Sequence, residues 1–316
     1  MKYRHSLLIV LLPLLLTSAP TFALTADEQF LAARDAYRAG DKAKLERLAP
    51  SLQDYELAAY VEYWQLLMDL KESDPTTIRA FLGRNENSYV GERMRIDWLR
   101  QLGRRQQWEL FDSEYPRLAQ PDQELACYAL QSRQAQGDPR AMDDALPLWL
   151  TLLEPPDACY PVLEALIVNK RVLADAVWAR IRRQFEANKI AAAIYSMNYL
   201  PASQMPDKKL AQVVADSPLP WLNKLPSDFS GSRMQRELAV LAIQRVARND
   251  PRVAADQLEK IAGSLKPGEK NWAWSQIGLQ AAQRHLPEAM DWYRQAGDSA
   301  LSDEAAEWKV RAALRV

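Results

Sequence analysis

Histidine and cysteine are scarce in this 316-residue chain, at two each. Their spacing fits none of the usual four-ligand zinc patterns, and no metal or other cofactor is expected. Glycine is scarce too: 10 residues, roughly half the customary share of about 7%. Strand-rich folds need glycine at tight turns and bulges, so a large all-β fold is disfavoured. Charge of one sign is also missing, with Lys+Arg 40 against Asp+Glu 41 and a formal net charge of −1. A general nucleic-acid binder needs a basic surface to displace counterions, so no nucleic-acid partner is expected. No Gly-rich phosphate loop, G-x-S-x-G or H-x-x-x-H occurs. What remains is 48% apolar and 26% charged, a globular balance in a length that suits one large domain or about two ordinary ones.

The first 23 residues read as an export signal. Lys2 and Arg4 give a positive start, and Leu7 to Leu16 is an apolar run too short to span a bilayer comfortably. Thr21-Phe22-Ala23 ends it with small residues at the two positions a signal peptidase reads, which predicts cleavage after Ala23 and no membrane span afterwards, with an uncleaved anchor as the alternative. Removing this segment, with its two basic and no acidic residues, leaves 38 basic and 41 acidic residues, a net of −3. Export changes how Cys127 and Cys159 are read. An oxidising compartment favours joining a lone pair, and two buried free thiols are the alternative. A nucleophilic cysteine is disfavoured, because His5 lies in the signal and only His285 is left as a base.

Beyond residue 24 no segment sustains a two-residue alternation, whereas i, i+3, i+4, i+7 apolar spacing recurs. Phe30, Ala33, Ala36 and Tyr37 share a face up to Gly40-Asp41, and Leu45 and Leu48 follow, stopped by Pro50. Tyr55 to Leu70 is a longer helix, and Asp74-Pro75 starts another through Ile78, Phe81 and Leu82. Met94, Trp98 and Leu102 come next, then Leu125 to Gln136 and Ala141 to Leu153, broken at Pro155-Pro156. The breaks at Arg38-Ala39-Gly40-Asp41, Gln136-Gly137-Asp138-Pro139 and Arg248-Asn249-Asp250-Pro251 are alike: a stop, then an Asp placed to cap the next helix. Paired helices with such turns predict an all-α solenoid of degenerate tetratricopeptide-like hairpins, curved or U-shaped, with an irregular bundle as the alternative. Leu238 to Ile261 and Trp272 to Ala296 come nearest to the repeat. The domain is expected to run over residues 24–316, with a bend near 199–231, where Pro201, Pro206, Pro218, Pro220 and Pro226 interrupt the pattern; a domain boundary there is the alternative. Leu301 to Val316 reads as a final helix with no polar cap after it, so the array is expected to continue or to be covered by another surface.

A search for catalytic chemistry assigns no catalytic residue. Asp143-Asp144 and Glu304/Glu307 read as solvated helix faces, and Glu72-Ser73-Asp74 as a helix end where Asp74 caps. His285 reads as a helix-end residue facing the dipole. Arg104-Arg105 and the cluster Arg180, Arg182, Arg183 read as solvated faces or intrahelical pairs, with contact to an anionic polymer as the alternative; the ten tryptophans read as mostly core, with one or two at a surface and sugar-stacking platforms as the alternative.

Several segments carry a resemblance: F-L-A-A-R-D-A-Y-R-A-G-D from Phe30 to Asp41, L-x-D-Y-x-L-x-x-Y-x-E-Y-W from Leu52 to Trp64, Cys127-Tyr128, Leu148-Trp149-Leu150, and P-D-A-C from Pro156 to Cys159. They resemble the amino-terminal superhelical domain of the soluble lytic murein transglycosylases, over nearly all of the chain after the signal. The resemblance implies a periplasmic, peptidoglycan-facing superhelix and a Cys127–Cys159 disulfide. It also implies that linker and catalytic domains act as partners, the latter cleaving glycan between N-acetylmuramic acid and N-acetylglucosamine to leave a 1,6-anhydro end. The catalytic signatures of that family, E-S-x-[WF]-x-P, G-L-M-Q and A-Y-N-A-G, do not occur here, and Glu72-Ser73 is followed by Asp74-Pro75. The sequence therefore predicts a domain that holds or frames glycan without cutting it. The alternative is a stand-alone periplasmic helical-repeat scaffold for other proteins.

Overall fold

The computed structural model describes residues 24–315, and the expected export signal, residues 1–23, lies outside the described residues. Among the described residues there is no strand. The chain divides into two compact units, Met1–Gln101 and Leu102–Val316.

The first unit holds α1 (Ala26–Arg38), α2 (Lys42–Leu48), α3 (Ala58–Met68), α4 (Pro75–Arg84) and most of α5 (Tyr89–Arg104). Thr25 and Glu28 start α1 with a reciprocal capping box. Gly40, at φ +71°, ends it in the left-handed region, and the Asp41 carboxylate accepts the Lys44 N–H (2.9 Å) to begin α2. Asp74 caps α4, as expected, accepting from the Thr76 N–H at 2.8 Å. The helix expected from Tyr55 begins at Ala58, because tight turns carry the chain from Leu52 to Leu57. Leu45, Leu52, Ile78 and Phe81 are fully buried, each contributing on the order of 1.5–3 kcal/mol.

The second unit continues with α6 (Trp108–Glu114), α7 (Gln123–Ala135), α8 (Ala141–Ala145), α9 (Leu148–Thr151), α10 (Tyr160–Val168), α11 (Ala174–Glu186), α12 (Ile190–Ser196), α13 (Lys208–Asp216) and α14 (Pro218–Leu222). It ends with α15 (Arg233–Ala247), α16 (Pro251–Ile261), α17 (Pro267–Gln283), α18 (Ala289–Ala296) and α19 (Asp303–Ala313). The single helix expected over Ala141 to Leu153 is two short ones, because Pro147 has no N–H to continue the ladder.

Packing in the second unit decides between solenoid and irregular bundle. α15 packs on α16 and α17 on α18, each a sequence-adjacent hairpin. The leading helices also touch in file: α11 on α15, α15 on α17, α17 on α19. That is the stacking logic of a helical-repeat superhelix. It also explains why Leu238 to Gln244 and Ala273 to Ala282 are buried without interruption: a leading helix is covered on several sides at once. Alanine and glycine allow this closeness. A Cβ on Gly278 would meet the Tyr293 ring at 3.0 Å, and one on Gly103 would clash with the Tyr128 ring.

Candidate functional site

The first unit carries an aromatic and arginine-lined cleft of about 260 Å³. Three helices build it through helical spacing. α1 offers Arg34, Tyr37 and Arg38 at i, i+3 and i+4; α3 offers Tyr60, Tyr63 and Trp64 at the same spacing; the first five residues of α5 offer Tyr89, Val90 and Arg93. Trp64 is the hub. Tyr37 stacks on it (5.8 Å, 12° between planes), while Phe30 (5.2 Å) and Tyr60 (6.3 Å) lean against it. The Tyr63 hydroxyl donates to Asp97 Oδ2 at 2.6 Å. Burial, that hydrogen bond and the Asp97 charge together push the Tyr63 pKa far above the ordinary phenol value, so this tyrosine stays protonated. Arg93 interacts with the same hydroxyl and with Asp97, and Arg34 pairs with Asp35 at 3.0 Å. Arg38 and Tyr89 are exposed, Tyr89 by 70%.

A second cleft, about 400 Å³, lies in the second unit among α11, α15 and the start of α17. It gathers Glu237 and Glu269, a pair 32 residues apart that no short-range sequence signal marks. Both are engaged. Arg182 donates to Glu237 Oε2 from Nε (2.9 Å) and lies 2.7 Å away through Nη2, with Arg233 3.7 Å from the other oxygen. Arg236 Nε donates to both Glu269 oxygens at 3.0 Å, and the Lys266 N–H donates to Oε2 at 2.8 Å. Burial pushes the Glu237 carboxyl above its ordinary range, Arg182 pulls it the other way, and Glu269 adds to the rise. Paired this way, the two carboxylates cross-link α11, α15 and α17.

The residues weighed from sequence are scattered over the two units. Asp143 pairs with Arg171, Asp144 with Arg133 (2.8 Å), Glu304 with Gln283 (3.0 Å) and Glu307 with Arg311 (3.5 Å). His285 closes the end of α17 at φ +59°, its Nδ1 3.1 Å from the Ala282 carbonyl and beside Arg315. Arg104 lies 3.6 Å from Glu124. Arg180 departs from the expected solvated face. It is 2% exposed, stacks on the Trp149 ring (5.0 Å), and donates to the Trp149 carbonyl and to Ser196 Oγ. An indole and a carbonyl replace the water its guanidinium gives up. Arg182 likewise lies over Trp272 at 5.2 Å. Trp64, Trp98, Trp149, Trp178 and Trp274 are buried and the other five are partly buried, so the tryptophans are core first. Among the described residues no group of three or more His, Cys, Asp or Glu could hold a metal ion, and no helix is long and apolar enough to cross a membrane.

Cys127 on α7 and Cys159, just before α10, form a disulfide with Cα atoms 5.0 Å apart, both sulfurs enclosed in the core. Gln131 Nε2 donates to the Ala158 carbonyl alongside it (2.6 Å).

No protein-family model matches the chain. Known proteins do. The soluble lytic murein transglycosylase of Escherichia coli (strain K12) is 24% identical over 275 residues, 86% of this chain and 40% of that protein. The chain is thus similar to soluble lytic murein transglycosylases. The Salmonella typhimurium protein of that name is 22% identical over the same shares. Among solved structures, an inactive mutant of the lytic transglycosylase Slt from Pseudomonas aeruginosa superposes with a TM-score of 0.63 at 23% identity, over 91% of this chain and 47% of that one. The 70-kDa soluble lytic transglycosylase in complex with bulgecin A gives 0.59 at 20%, over 92% and 45%. The chain thus has the superhelical fold found in these transglycosylases, and it spans about two fifths of the length of the curated relatives it matches.

Proposed function

We propose that this chain is the superhelical domain of a soluble lytic transglycosylase, which holds peptidoglycan glycan strands for cleavage by a catalytic domain. In this reading it is exported by residues 1–23, cut after Ala23, and works in the periplasm beside linker and catalytic domains. The observation that carries the reading is the extent of the likeness: it runs through 86% of the chain in sequence and 91% in fold. The chemistry of the clefts agrees with holding. The two glutamates that share a cleft are neutralised by arginines, and the family's catalytic signatures do not occur in the sequence. A surface that holds glycan needs rings and cations where a sugar can reach them, and the first unit has both in one cleft.

The test is co-sedimentation of the purified chain with insoluble peptidoglycan sacculi, run beside zymography on a murein gel. The chain is expected to pellet with sacculi and to leave the gel uncleared. A chain that stays in the supernatant refutes the glycan-holding role and favours the scaffold reading; a cleared gel refutes the division of labour.

A further inference from the structure

The lining of the α1–α3–α5 cleft is one-sided in its hydrogen-bonding chemistry. Arg34, Arg38 and Arg93 can only donate. No Asp, Glu, Asn or Gln lines the cleft; Asp97 lies behind Tyr63, and Asp35 holds Arg34 at the rim. Sites for neutral sugars need acceptors for ring hydroxyls as well as donors, and here the Tyr hydroxyls alone could accept. A cluster of guanidiniums around stacked rings selects instead a ligand with an apolar flank and a carboxylate. The floor of the cleft is aromatic: Tyr37 on Trp64, with Tyr60 beside them and Tyr89 standing free at the mouth. At about 260 Å³ the cleft is smaller than the roughly 300–1,000 Å³ of a pocket that encloses a drug-sized ligand, which suits one residue of a longer chain.

We propose that this cleft binds a carboxylate-bearing sugar of a glycan strand, the acidic muramoyl unit with its lactyl or peptide carboxylate, and passes over the neutral N-acetylglucosamine units. The inference rests on the peptidoglycan reading above and adds to it a place and a selectivity. The sugar's apolar face lies on Tyr89 and Tyr37, where burial of both surfaces drives contact. Its carboxylate meets Arg38, which has an exposed guanidinium at the last turn of α1, with Arg34 and Arg93 adding positive potential. Arg38 is the decisive cation, since Arg34 and Arg93 are each already engaged by an aspartate.

The experiment is calorimetric titration of the full chain with three soluble probes: a muramoyl-containing glycan fragment with free carboxylates, the same fragment with its carboxylates amidated, and a chitin oligosaccharide of equal length. Wild type, Tyr89→Ala and Arg38→Gln are compared. Both side chains are exposed, so thermal midpoints should not move. Losing one charge-assisted contact weakens binding by about tenfold. That loss is expected for the acidic fragment on Arg38→Gln and on amidation, and a loss of similar size on Tyr89→Ala. Equal affinity for chitin and the acidic fragment overturns the proposal, and so does an acidic fragment whose affinity neither substitution changes. Co-sedimentation separates the two levels of inference. Sacculus binding that survives both substitutions unchanged, with unchanged fragment affinity, removes the cleft and leaves the glycan-holding role. Wild-type chain that binds the acidic fragment through Tyr89 and Arg38 but ignores sacculi keeps the cleft and removes the role.

Discussion

Reducing the Cys127–Cys159 bond should cost this chain several kcal/mol. The bond closes a loop with a sequence separation of 32. In the chain-entropy model a loop of that length removes about 12 cal/mol/K from the unfolded ensemble, or about 3.7 kcal/mol at room temperature. The bond lies in the core between α7 and the start of α10, with the Gln131 contact beside it. Both sulfurs are inaccessible in the folded state, so reductant acts through the unfolded one, and equilibrium unfolding reports the full difference. With an m-value of about 3 kcal/mol/M for urea, the midpoint should fall by roughly 1 M on adding reductant. Non-reducing mass spectrometry of the alkylated chain fixes the starting state, which should carry no alkyl groups. A midpoint that stays put, with two alkylated thiols in the untreated protein, would refute the reasoning and return the pair to buried free cysteines.

Two helical glycines should respond to alanine with opposite signs. Gly103→Ala drives a methyl into the buried Tyr128 ring and should destabilise by about 2 kcal/mol despite the gain in helix propensity, while Gly83→Ala meets nothing within 4 Å and should stabilise by up to about 1 kcal/mol. Chemical unfolding of both decides it, and equal signs would refute the close approach. Glu237, held protonated to higher pH by burial, should make the folded state bind a proton more tightly than the unfolded chain. Its contribution is therefore full below the unfolded carboxyl pKa of about 4.3 and fades as pH rises through the folded value. Asp138, Asp228 and Glu288, whose carboxyls are lowered by hydrogen bonds, contribute the opposite slope at the acid end, so the quantity to measure is the difference between wild type and Glu237→Gln across about pH 4 to 7. Identical slopes would sink the assignment.

The fold class was legible because its determinants are local. Apolar spacing along α1 and α4, the Gly40 and Gly137 stops, and the Asp41, Asp74 and Asp250 caps are all written within a few residues of each other. Local signals failed where tertiary packing overrides them. α15 and α17 are buried on several sides, so their sequences show no clean polar face, and their register against α11 and α19 cannot be read from spacing. Pro147 was visible in the sequence, but the apolar spacing on both sides of it runs on as one helix, and spacing alone hides the break that its missing N–H makes.

The clefts were harder to read than the fold for a different reason. Arg236 and Glu269 are 33 residues apart, Arg182 and Glu237 55, and nothing short-range marks either pair. A charged residue on a leading helix looks solvated until the next hairpin stacks on it. Arg180, Glu237 and Glu269 are therefore where reading charge as surface fails, and the stacking that hides them is also what tells a solenoid from a loose bundle. The aromatic cleft left a fainter trace. Arg34, Tyr37 and Arg38 on one helix face, and Tyr60, Tyr63 and Trp64 on another, are helical triplets visible in the sequence. Each alone reads as a core stripe with a solvated edge. They become a candidate binding surface once α1, α3 and α5 meet around Trp64 and leave Tyr89 uncovered. The clefts combine residues that are far apart in the chain, while the helices that carry them are specified by residues close together.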